Sequence, residues 1–235
     1  MRRKIFLWEY QRLNPYLSRS RATRGYIEGG IIITMDFHFK EIDFKDIVFK
    51  DSNESIIETC TTPYSGNPDG CPNFGKTWGC PPHAPKLEEF KEKIRNYSHF
   101  YLVYLERKLE PGYQDNKRVF NQVMMEYGFM NVMLNDFMDH LAKENKEILH
   151  VHGEGCKYCT KHGIGSCTCP DAECRYPDKK SYSLSVALDI IKTMNGVGIG
   201  VELDPSKVLM RIGFVVSKAS LDFEQELKKF KSDTE

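Results

Sequence analysis

The chain has 235 residues, of which 40% are hydrophobic and 28% are charged. This composition is typical of a soluble globular protein with enough apolar residues for a core. Lysine plus arginine and aspartate plus glutamate both number 33, so the formal net charge is zero. Since the chain has no basic excess and no basic amphipathic run, we expect it to bind neither nucleic acid nor a membrane surface.

The first 34 residues differ from the rest of the chain. Residues 1–21 begin like a signal peptide, but polar residues from Glu9 onward interrupt the apolar part. No stretch reaches the ~18–20 apolar residues of a membrane-spanning helix, so we expect a cytoplasmic protein. Glu28-Gly29-Gly30 followed by Met35 is what a ribosome-binding site gives when it is translated in frame. Residues 1–34 are therefore either a basic arm or an extension before a true start at Met35, and 35–235 are expected to form one domain.

The first half of the chain predicts strands, a loop and a helix in turn. Apolar and polar residues alternate over 36–59, which predicts one or two strands. The stretch 60–83 is rich in Gly, Pro, Asn and Cys and predicts an irregular loop, the first cysteine loop. Apolar residues at helical spacing predict a helix over 86–97, and 99–106 reads as a buried strand.

A long helix and a second loop follow. Residues 116–146 carry apolar residues at near-helical spacing, with a break expected near Gly128. The segment 147–152 predicts a strand that enters a second irregular stretch, the second cysteine loop (153–180).

The last part of the chain predicts a helix, paired strands and a terminal helix. Residues 183–194 predict the helix, and 198–204 with 207–219 predict the strand pair. Ser220 is expected to cap an amphipathic terminal helix. Because strands and helices alternate, we expect an α/β or α+β fold: a mixed sheet flanked by helices, with the two cysteine loops leaving strand ends.

Cysteine is the residue type that indicates chemistry. All eight cysteines fall in the two loops, and cytosolic thiols that cluster in this way bind metal more often than they form disulfides. Five of them lie within 156–174, where a Cys-x2-Cys turn directs two sulfurs to the same side. The predicted ligands are Cys60, Cys71, Cys80, Cys156, Cys159, Cys167, Cys169 and Cys174.

The spacing favours iron–sulfur clusters over zinc. Structural zinc usually takes thiols in regular Cys-x2–4-Cys pairs, whereas the pairing here is irregular. Cys71, Cys80 and Cys169 each precede a proline, as ligand cysteines do in ferredoxin-type runs. Eight thiols match two [4Fe–4S] clusters with four ligands each. One or two [4Fe–4S] clusters are therefore predicted, with zinc as the lesser alternative.

The run from Cys71 to Pro82, CPNFGKTWGCPP, resembles the signature of a prokaryotic family of predicted metal-binding proteins, domain of unknown function 2284. The second cysteine loop is similar too and ends in the Cys-Arg-x-Pro of that family, as Cys174-Arg175-Tyr176-Pro177. The resemblance extends over about residues 60–200. It implies metal binding, with iron–sulfur clusters expected, in anaerobic prokaryotes, and it implies no reaction.

The chain departs from the family pattern at several ligand positions. The family has a cysteine three positions before Cys71, where this chain has Pro68, and Cys60 is the candidate to replace it. His162 occupies the third place of the family's Cys-x2-Cys-x2-Cys run, which makes it a further candidate ligand. Cys167 and Cys169 are the candidates to substitute for it, and Ser181–Ser185 replaces the family's Arg-Pro-Ser-x-Glu stretch.

Other residues have ordinary interpretations beside functional ones. His150 and His152 share one side of a strand and are either strand residues or donors to the metal site. Lys76, Trp78 and Arg175 flank thiols and would either pack the loops or, through the two cations, stabilise a reduced cluster. The methionines of the long helix favour core packing over a copper site.

Three functions remain open from the sequence. The first is electron transfer, or redox delivery to a partner enzyme, through [4Fe–4S] centres, with a redox partner protein or a small molecule as partner. The second is an enzyme whose cluster has an open iron site that handles sulfur or a small substrate. The third is an interaction module held together by zinc. The sequence does not decide whether the chain is an enzyme.

Overall fold

A computed structural model describes residues 37–63, 67–145, 147–201 and 207–234. The predicted arm or alternative start at 1–34 lies outside these residues, so both interpretations stay predictions. In the described part of the chain, five strands form one mixed sheet with helices on both faces. The predicted fold class is confirmed.

The sheet has the strand order β1-β2-β5-β3-β4. Every neighbouring pair is antiparallel except β3 with β4, which is parallel. The strands are β1 (Phe37–Ile42), β2 (His99–Lys108), β3 (Ile148–His152), β4 (Tyr182–Ser183) and β5 (Val208–Ser217).

Helices connect and cover these strands. The longest, α3, crosses one face of the sheet and runs unbroken through Gly128, where the sequence predicted a break. The helices are α1 (Asn53–Thr61), α2 (Leu87–Arg95), α3 (Lys117–Glu144), α4 (Tyr158–Lys161), α5 (Ile190–Gly196) and α6 (Phe223–Thr234).

One face of the sheet packs against α3 and α6. Because side chains alternate along a strand, Tyr101, Val103 and Leu105 of β2 point to this face. They contact an apolar stripe of α3 that includes Phe137, which is fully buried. Stacked and edge-on aromatic rings, such as Phe39 on Phe223 with centroids 4.5 Å apart, complete this core.

The opposite face packs against α2 and α5. Phe100 and Leu102 of β2 point here, together with Phe214 of β5. Phe90 and Ile94 lie one helical turn apart on α2 and are fully buried against them. The second cysteine loop leaves β3 and returns to β4, as predicted, whereas the first follows α1 and not a strand, because residues 53–61 form a helix.

The strand prediction for 36–59 was half right. β1 ends at Ile42, and residues 53–61 form a helix instead of a second strand. Ser52 caps this helix, since its hydroxyl accepts a hydrogen bond from the Ser55 amide. Ile56 and Cys60 then lie four residues apart on the buried side of α1. The helix thus presents Cys60 at its last turn.

Three further predictions near the end of the chain need correction. The helix predicted for 183–194 begins only at Ile190, because Asp189 caps it and the preceding residues pair with the segment near Lys50. Within the predicted strand 198–204, residues 198–201 form no strand and the rest lies outside the described residues. The cap before α6 is Asp222, whose carboxylate accepts from the Gln225 amide, and not Ser220.

The sequence predicts no membrane-spanning helix. Of the helices that the structure describes, none combines the length and the apolar character needed to cross a bilayer.

Candidate metal centre

Two cysteines meet where α1 runs into the first cysteine loop. The Cys71 amide donates to the Cys60 carbonyl at 2.7 Å, which joins the loop to the last turn of α1. Gly70 makes this approach possible with a φ of +82°, since a Cβ there would lie 2.6 Å from the same carbonyl oxygen. A bulkier residue at position 70 would push Cys71 away from Cys60.

Cys80 lies on a turn that is bonded to the edge of the sheet. Its amide donates to the Thr77 carbonyl at 3.1 Å, and its carbonyl accepts from the amides of His83 and Ala84. Next to it, the Gly79 carbonyl accepts from the Ser183 amide of β4 at 2.9 Å. Cys80 is buried as a result.

The second cysteine loop packs directly on Cys80. Gly155 has a φ of +68°, and a Cβ at this position would overlap the Cys80 sulfur. On the other side, a Cβ at Gly79 would lie 3.0 Å from the Cys156 Cβ and would overlap the Ser181 carbonyl oxygen. Two glycines therefore let loops that are far apart in sequence bring Cys80 and Cys156 together.

The electrostatics of these thiols reflect their proximity. Burial raises the pKa of Cys80 to about 11, and the thiols of Cys71, Cys60 and Cys156 add to the effect. The Thr77 hydroxyl acts in the opposite direction and lowers this pKa. Among the described residues this buried hydroxyl has no hydrogen-bond partner in the metal-free chain, so it is placed to donate to a Cys80 thiolate.

Cys60 is affected in the same way. Burial and then the Cys71 thiol raise the pKa of Cys60, while a hydrogen bond with Ser185 and the charge of Lys50 lower it. Ser185 and Thr77 are thus hydroxyl donors beside two thiols of one group. Because metal-bound cysteine is a thiolate, such donors favour the ligating form. We call Cys60, Cys71, Cys80 and Cys156 the inner thiols.

A second set of thiols surrounds a small cavity in the second cysteine loop. The cavity has a volume of about 20 Å³, and Cys159, Cys167 and Cys174 lie in its wall, with Cys156 where it adjoins the inner thiols. We call Cys159, Cys167 and Cys174 the outer thiols. The rest of the wall is formed by Trp78, Lys157, Tyr158, Thr160, Thr168, Arg175 and Tyr176.

The eighth cysteine has a different environment. Cys169 is 8% exposed, and its thiol donates to the Gly75 carbonyl at an Sγ–O distance of 3.7 Å. The Gly75 amide in turn donates to the Pro81 carbonyl at 2.9 Å. Cys169 therefore ties the second cysteine loop to the first.

The donor set fits a metal that prefers sulfur. All eight candidates are free thiols. Soft thiolates select zinc, copper(I) or iron–sulfur clusters, and they suit magnesium and calcium poorly. Among the described residues, no group of three or more His, Cys, Asp or Glu side chains is arranged to hold a single metal ion. Metal binding would thus draw the thiols together from the positions that they hold in the structure.

The three histidines singled out in the sequence each contact another side chain. His162 stacks on Tyr158, with ring centroids 4.4 Å apart. His150 lies 3.4 Å from a carboxylate oxygen of Asp139 on α3, and its ring stacks on that of His152. His152 is buried and its Nε2 lies 3.2 Å from the Ser181 hydroxyl. His150 thus joins the sheet to α3, and His152 joins it to Ser181 just after the second cysteine loop.

The residues predicted to flank the thiols hold the second loop together. The Trp78 indole donates to the Ala172 carbonyl at 3.2 Å, which spans the two cysteine loops. The Arg175 guanidinium donates to the Ser166 carbonyl at 3.1 Å. Sequence reasoning missed Thr77, Ser185 and Gly155. The available signals were the position of Thr77 three residues before Cys80 and the glycine directly before Cys156.

Comparison with known proteins gives one match. The sequence model of a family described as predicted metal-binding protein (DUF2284) matches residues 40–216, which is more than half of the chain. No curated protein and no solved structure matches the chain significantly. The matched range contains all eight cysteines and all five strands except the first three residues of β1 and the last residue of β5.

Proposed function

Since the chain belongs to the family of predicted metal-binding proteins DUF2284, we propose that it binds [4Fe–4S] clusters and transfers electrons to a partner. Its metal-binding character follows from the family. We propose in addition that the metal is iron in a cluster and that the cluster transfers electrons.

The convergence of the two cysteine loops carries the proposal. Cys80 from the first loop and Cys156 from the second are neighbours, and both belong to a group of four thiols. Four thiolates are the ligand set of a [4Fe–4S] cluster. The absence of regular pairing among the ligands favours a cluster over a zinc ribbon, which uses two Cys-x2–4-Cys units.

The residues around the inner thiols would tune such a centre. A bound cluster supplies one-electron redox chemistry at a potential set by its protein surroundings. Thr77 and Ser185 each place a hydroxyl beside a thiol, and a hydrogen bond to sulfur stabilises the more negative, reduced state. Burial of Cys60 and Cys80 excludes water from the same side. These features suit a carrier that cycles between two oxidation states.

Anaerobic purification of the full chain tests the proposal. We expect a brown protein with iron and acid-labile sulfide, about eight irons per chain if two clusters are present. The test variant is Cys80→Ser. The control is Ser220→Ala, at a position far from the thiols in sequence. Cys80→Ser should lose about half of the iron, and the control should lose none. Oxygen-free protein without iron and sulfide would refute the proposal.

One observation favours zinc as a second candidate. The cavity beside the outer thiols, about 20 Å³, is large enough for one water-sized atom, and Cys156-x2-Cys159 has the spacing of a zinc pair. A single zinc ion would then hold the second cysteine loop in shape without redox chemistry. Metal analysis of the same preparation separates the two candidates, because a zinc protein is colourless and contains no labile sulfide.

A further inference from the structure

We propose that Arg211 of β5 anchors a binding site for a small oxyanion that carries a proton, such as hydrogenphosphate or bicarbonate. The site lies beside α3, where β3 has ended, and Tyr127, Asn135 and Gly153 surround it. It goes beyond the proposed function and does not depend on it, since none of these residues is a candidate metal ligand.

Arg211 lies just beyond the end of β3. His152, the last residue of β3, pairs with Gly213, so β5 continues to Arg211 without β3 as a neighbour. On its other side Arg211 pairs with Leu105 of β2, which points to the core under α3. Because paired residues of adjacent strands point to the same side of a sheet, the Arg211 side chain also faces α3.

The guanidinium of Arg211 is fixed in place, but its Nε–H has no acceptor. Its Cζ lies 3.5 Å from the ring centroid of Tyr127, which covers one face of the cation. In the described part of the chain the buried Nε has no hydrogen-bond partner. Since an unmet buried donor on a charged group is costly, an anion at this position would be stabilised.

The nearby carboxylate is engaged elsewhere. Burial lowers the pKa of Arg211, and Tyr127 and Glu154 act in the opposite direction, which shows that the charge of Glu154 reaches the guanidinium. The Glu154 carboxylate nevertheless pairs with Lys157. Arginine stays protonated despite burial, so its charge is available to a bound anion.

Asn135 adds an acceptor that selects among anions. It lies about two turns after Tyr127 on α3, and its Nδ2 donates to Glu154 at 3.5 Å. Its Oδ1 is buried, and no described residue donates to it. Hydrogenphosphate and bicarbonate can accept from Arg211 and also donate to Asn135, whereas sulfate has no proton to donate.

Gly153 leaves the site open to solvent. Gly153 is exposed and Arg211 is partly exposed. A Cβ on Gly153 would lie 3.9 Å from Nη1 of Arg211 and would meet no other heavy atom of the described residues within 4 Å. A larger side chain at position 153 would therefore have room to cover the guanidinium without disturbing the packing.

Calorimetric titration of the full chain with inorganic phosphate at pH 7 tests the site. We expect one phosphate per chain, and in Arg211→Gln an affinity that is lower by about tenfold or more, since charged hydrogen bonds are lost. The control is Arg95→Gln, which removes an exposed arginine that pairs with Glu92 on α2 and should not change the affinity. Equal affinity in Arg211→Gln and wild type would overturn the inference. Titration with bicarbonate forms a second arm, and saturable binding of neither anion would overturn it too.

Thermal unfolding of the wild type separates binding from general salt effects. Phosphate and sulfate both stabilise proteins by exclusion from their surfaces. At equal ionic strength we expect phosphate to raise the unfolding midpoint more than sulfate does, because only phosphate can also donate to Asn135. Equal shifts with the two salts would contradict this selectivity and overturn the inference.

Gly153→Leu keeps Arg211 and closes the entrance, so it decides the question if Arg211→Gln fails to fold by circular dichroism. Folded Gly153→Leu should lose phosphate binding, and wild-type affinity in this variant would overturn the inference. The iron content of the same preparations reports separately on the proposed function. A chain that binds phosphate and contains no iron would refute the proposed function alone.

Discussion

Gly155 is the residue on which the contact between the two cysteine loops depends most directly. Substitution by alanine would place a methyl group in overlap with the Cys80 sulfur, at a φ of +68° that L-residues rarely adopt. We expect Gly155→Ala to lower the free energy of unfolding by about 2–4 kcal/mol and to lower the metal content of the purified protein. Urea unfolding and metal analysis measure the two effects.

Gly163 offers a matched control in the same loop. Its φ is +69°, and a Cβ there would meet nothing within 4 Å. Gly163→Ala should therefore carry the backbone cost alone, about 1–2 kcal/mol, and retain the metal. If both variants lose metal equally, then metal binding depends on the backbone conformation at these positions and not on the packing against Cys80.

The raised pKa of Cys80 predicts how the stability of the metal-free protein depends on pH. An unfolded cysteine releases its proton at a pKa near 9, whereas burial raises the pKa of Cys80 to about 11 in the folded chain. Between these values the folded state holds a proton that the unfolded state has lost, so stability falls as pH rises. The loss is on the order of 2 kcal/mol at pH 11.

Cys80→Ala removes this titrating group and should flatten the pH dependence by the same amount. The measurement is urea unfolding of reduced, metal-free protein from pH 8 to 11. Lysine and tyrosine titrate in the same range, so the difference between wild type and variant is the quantity that counts. Parallel curves for the two proteins would contradict a raised pKa at Cys80.

At the scale of the residue, the sequence identifies the donors and misses what positions them. The cysteines stand out because their spacing is visible along the chain. The roles of Thr77, Ser185 and Gly155 depend on contacts between segments that are distant in sequence, and no local pattern reports such contacts. Which thiols are neighbours is for the same reason a property of the fold. Cys80 and Cys156 come together because the second cysteine loop runs into β4, while the first is bonded to β4 through the Gly79 carbonyl.

At the scale of the elements, Met138 of α3 packs directly on Gly213 of β5. A Cβ on Gly213 would overlap the Met138 sulfur and lie 2.8 Å from its methyl carbon. Gly213→Ala should therefore destabilise the protein by about 1–3 kcal/mol through overpacking. Met138→Ala should cost about 2–5 kcal/mol, because it leaves a cavity at a fully buried position.

The double variant tests whether one contact accounts for the first effect. With Met138 reduced to alanine, the new methyl group on Gly213 has room, so the combined loss should be smaller than the sum by at least about 1 kcal/mol. Urea unfolding of the four proteins gives the coupling energy. Additive losses of stability would mean that the substitution at Gly213 acts through the strand itself and not through the contact with Met138 of α3.

Strand β3 carries a buried histidine that predicts an acid transition. Burial and the neighbouring His150 lower the pKa of His152 to about 3, against 6.5 in an unfolded chain. As pH falls from 6.5 to 3, the unfolded state binds a proton that the folded state does not, so stability falls with pH. The loss is on the order of 4 kcal/mol at pH 3.

His152→Gln keeps a donor that can reach Ser181 and removes the titration. Urea unfolding of metal-free protein from pH 7 to 4 should therefore show a shallower decline in the variant. Burial raises the pKa of Asp139, but hydrogen bonds from His150 and Lys161 hold it below its ordinary value. Protonation of Asp139 therefore affects stability only below about pH 4. Identical slopes in wild type and variant would place the acid sensitivity elsewhere.

Elements whose apolar residues recur with a regular period are predictable from this sequence. Elements whose conformation depends on tertiary contacts are not. The α3 helix and strand β2 follow from long runs with one periodicity. The α1 helix was missed because the alternation up to Phe49 continues toward it, whereas the Ser52 cap that begins the helix is a single residue. Residues 184–189 were assigned to a helix, but they pair with the segment near Lys50, which is distant in sequence.

On the scale of the whole molecule, the cores and the thiols occupy separate parts of the structure. The two apolar clusters that cover the faces of the sheet consist of residues from the strands, from α1, α2, α3, α5 and α6, and from segments next to them. They come near the thiols at α1, where Ile56 of one cluster lies one turn before Cys60. The cysteines belong to neither cluster. Their loops are joined to the sheet by a few bonds, such as the Ser183 amide to the Gly79 carbonyl. The fold therefore has its own source of stability, independent of metal.

This separation predicts what removal of the metal does. In a small metalloprotein whose core depends on its metal, chelation unfolds the chain. Here the sheet and its helices bury their apolar residues without the cysteine loops, so we expect metal-free protein to keep its far-UV circular dichroism and a cooperative unfolding transition. The loops should instead lose their order, because without a shared metal only a few hydrogen bonds hold their thiols together.

Limited proteolysis locates the change. Trypsin should cut metal-free protein after Lys157, Lys161 or Arg175 in the second cysteine loop, and should spare α3 and β2, whose backbones are hydrogen-bonded within the packed core. Metal-loaded protein should resist cleavage at the same loop sites. Loss of the circular dichroism signal on chelation would contradict the expectation, since the sheet would then depend on the thiol centres for its stability.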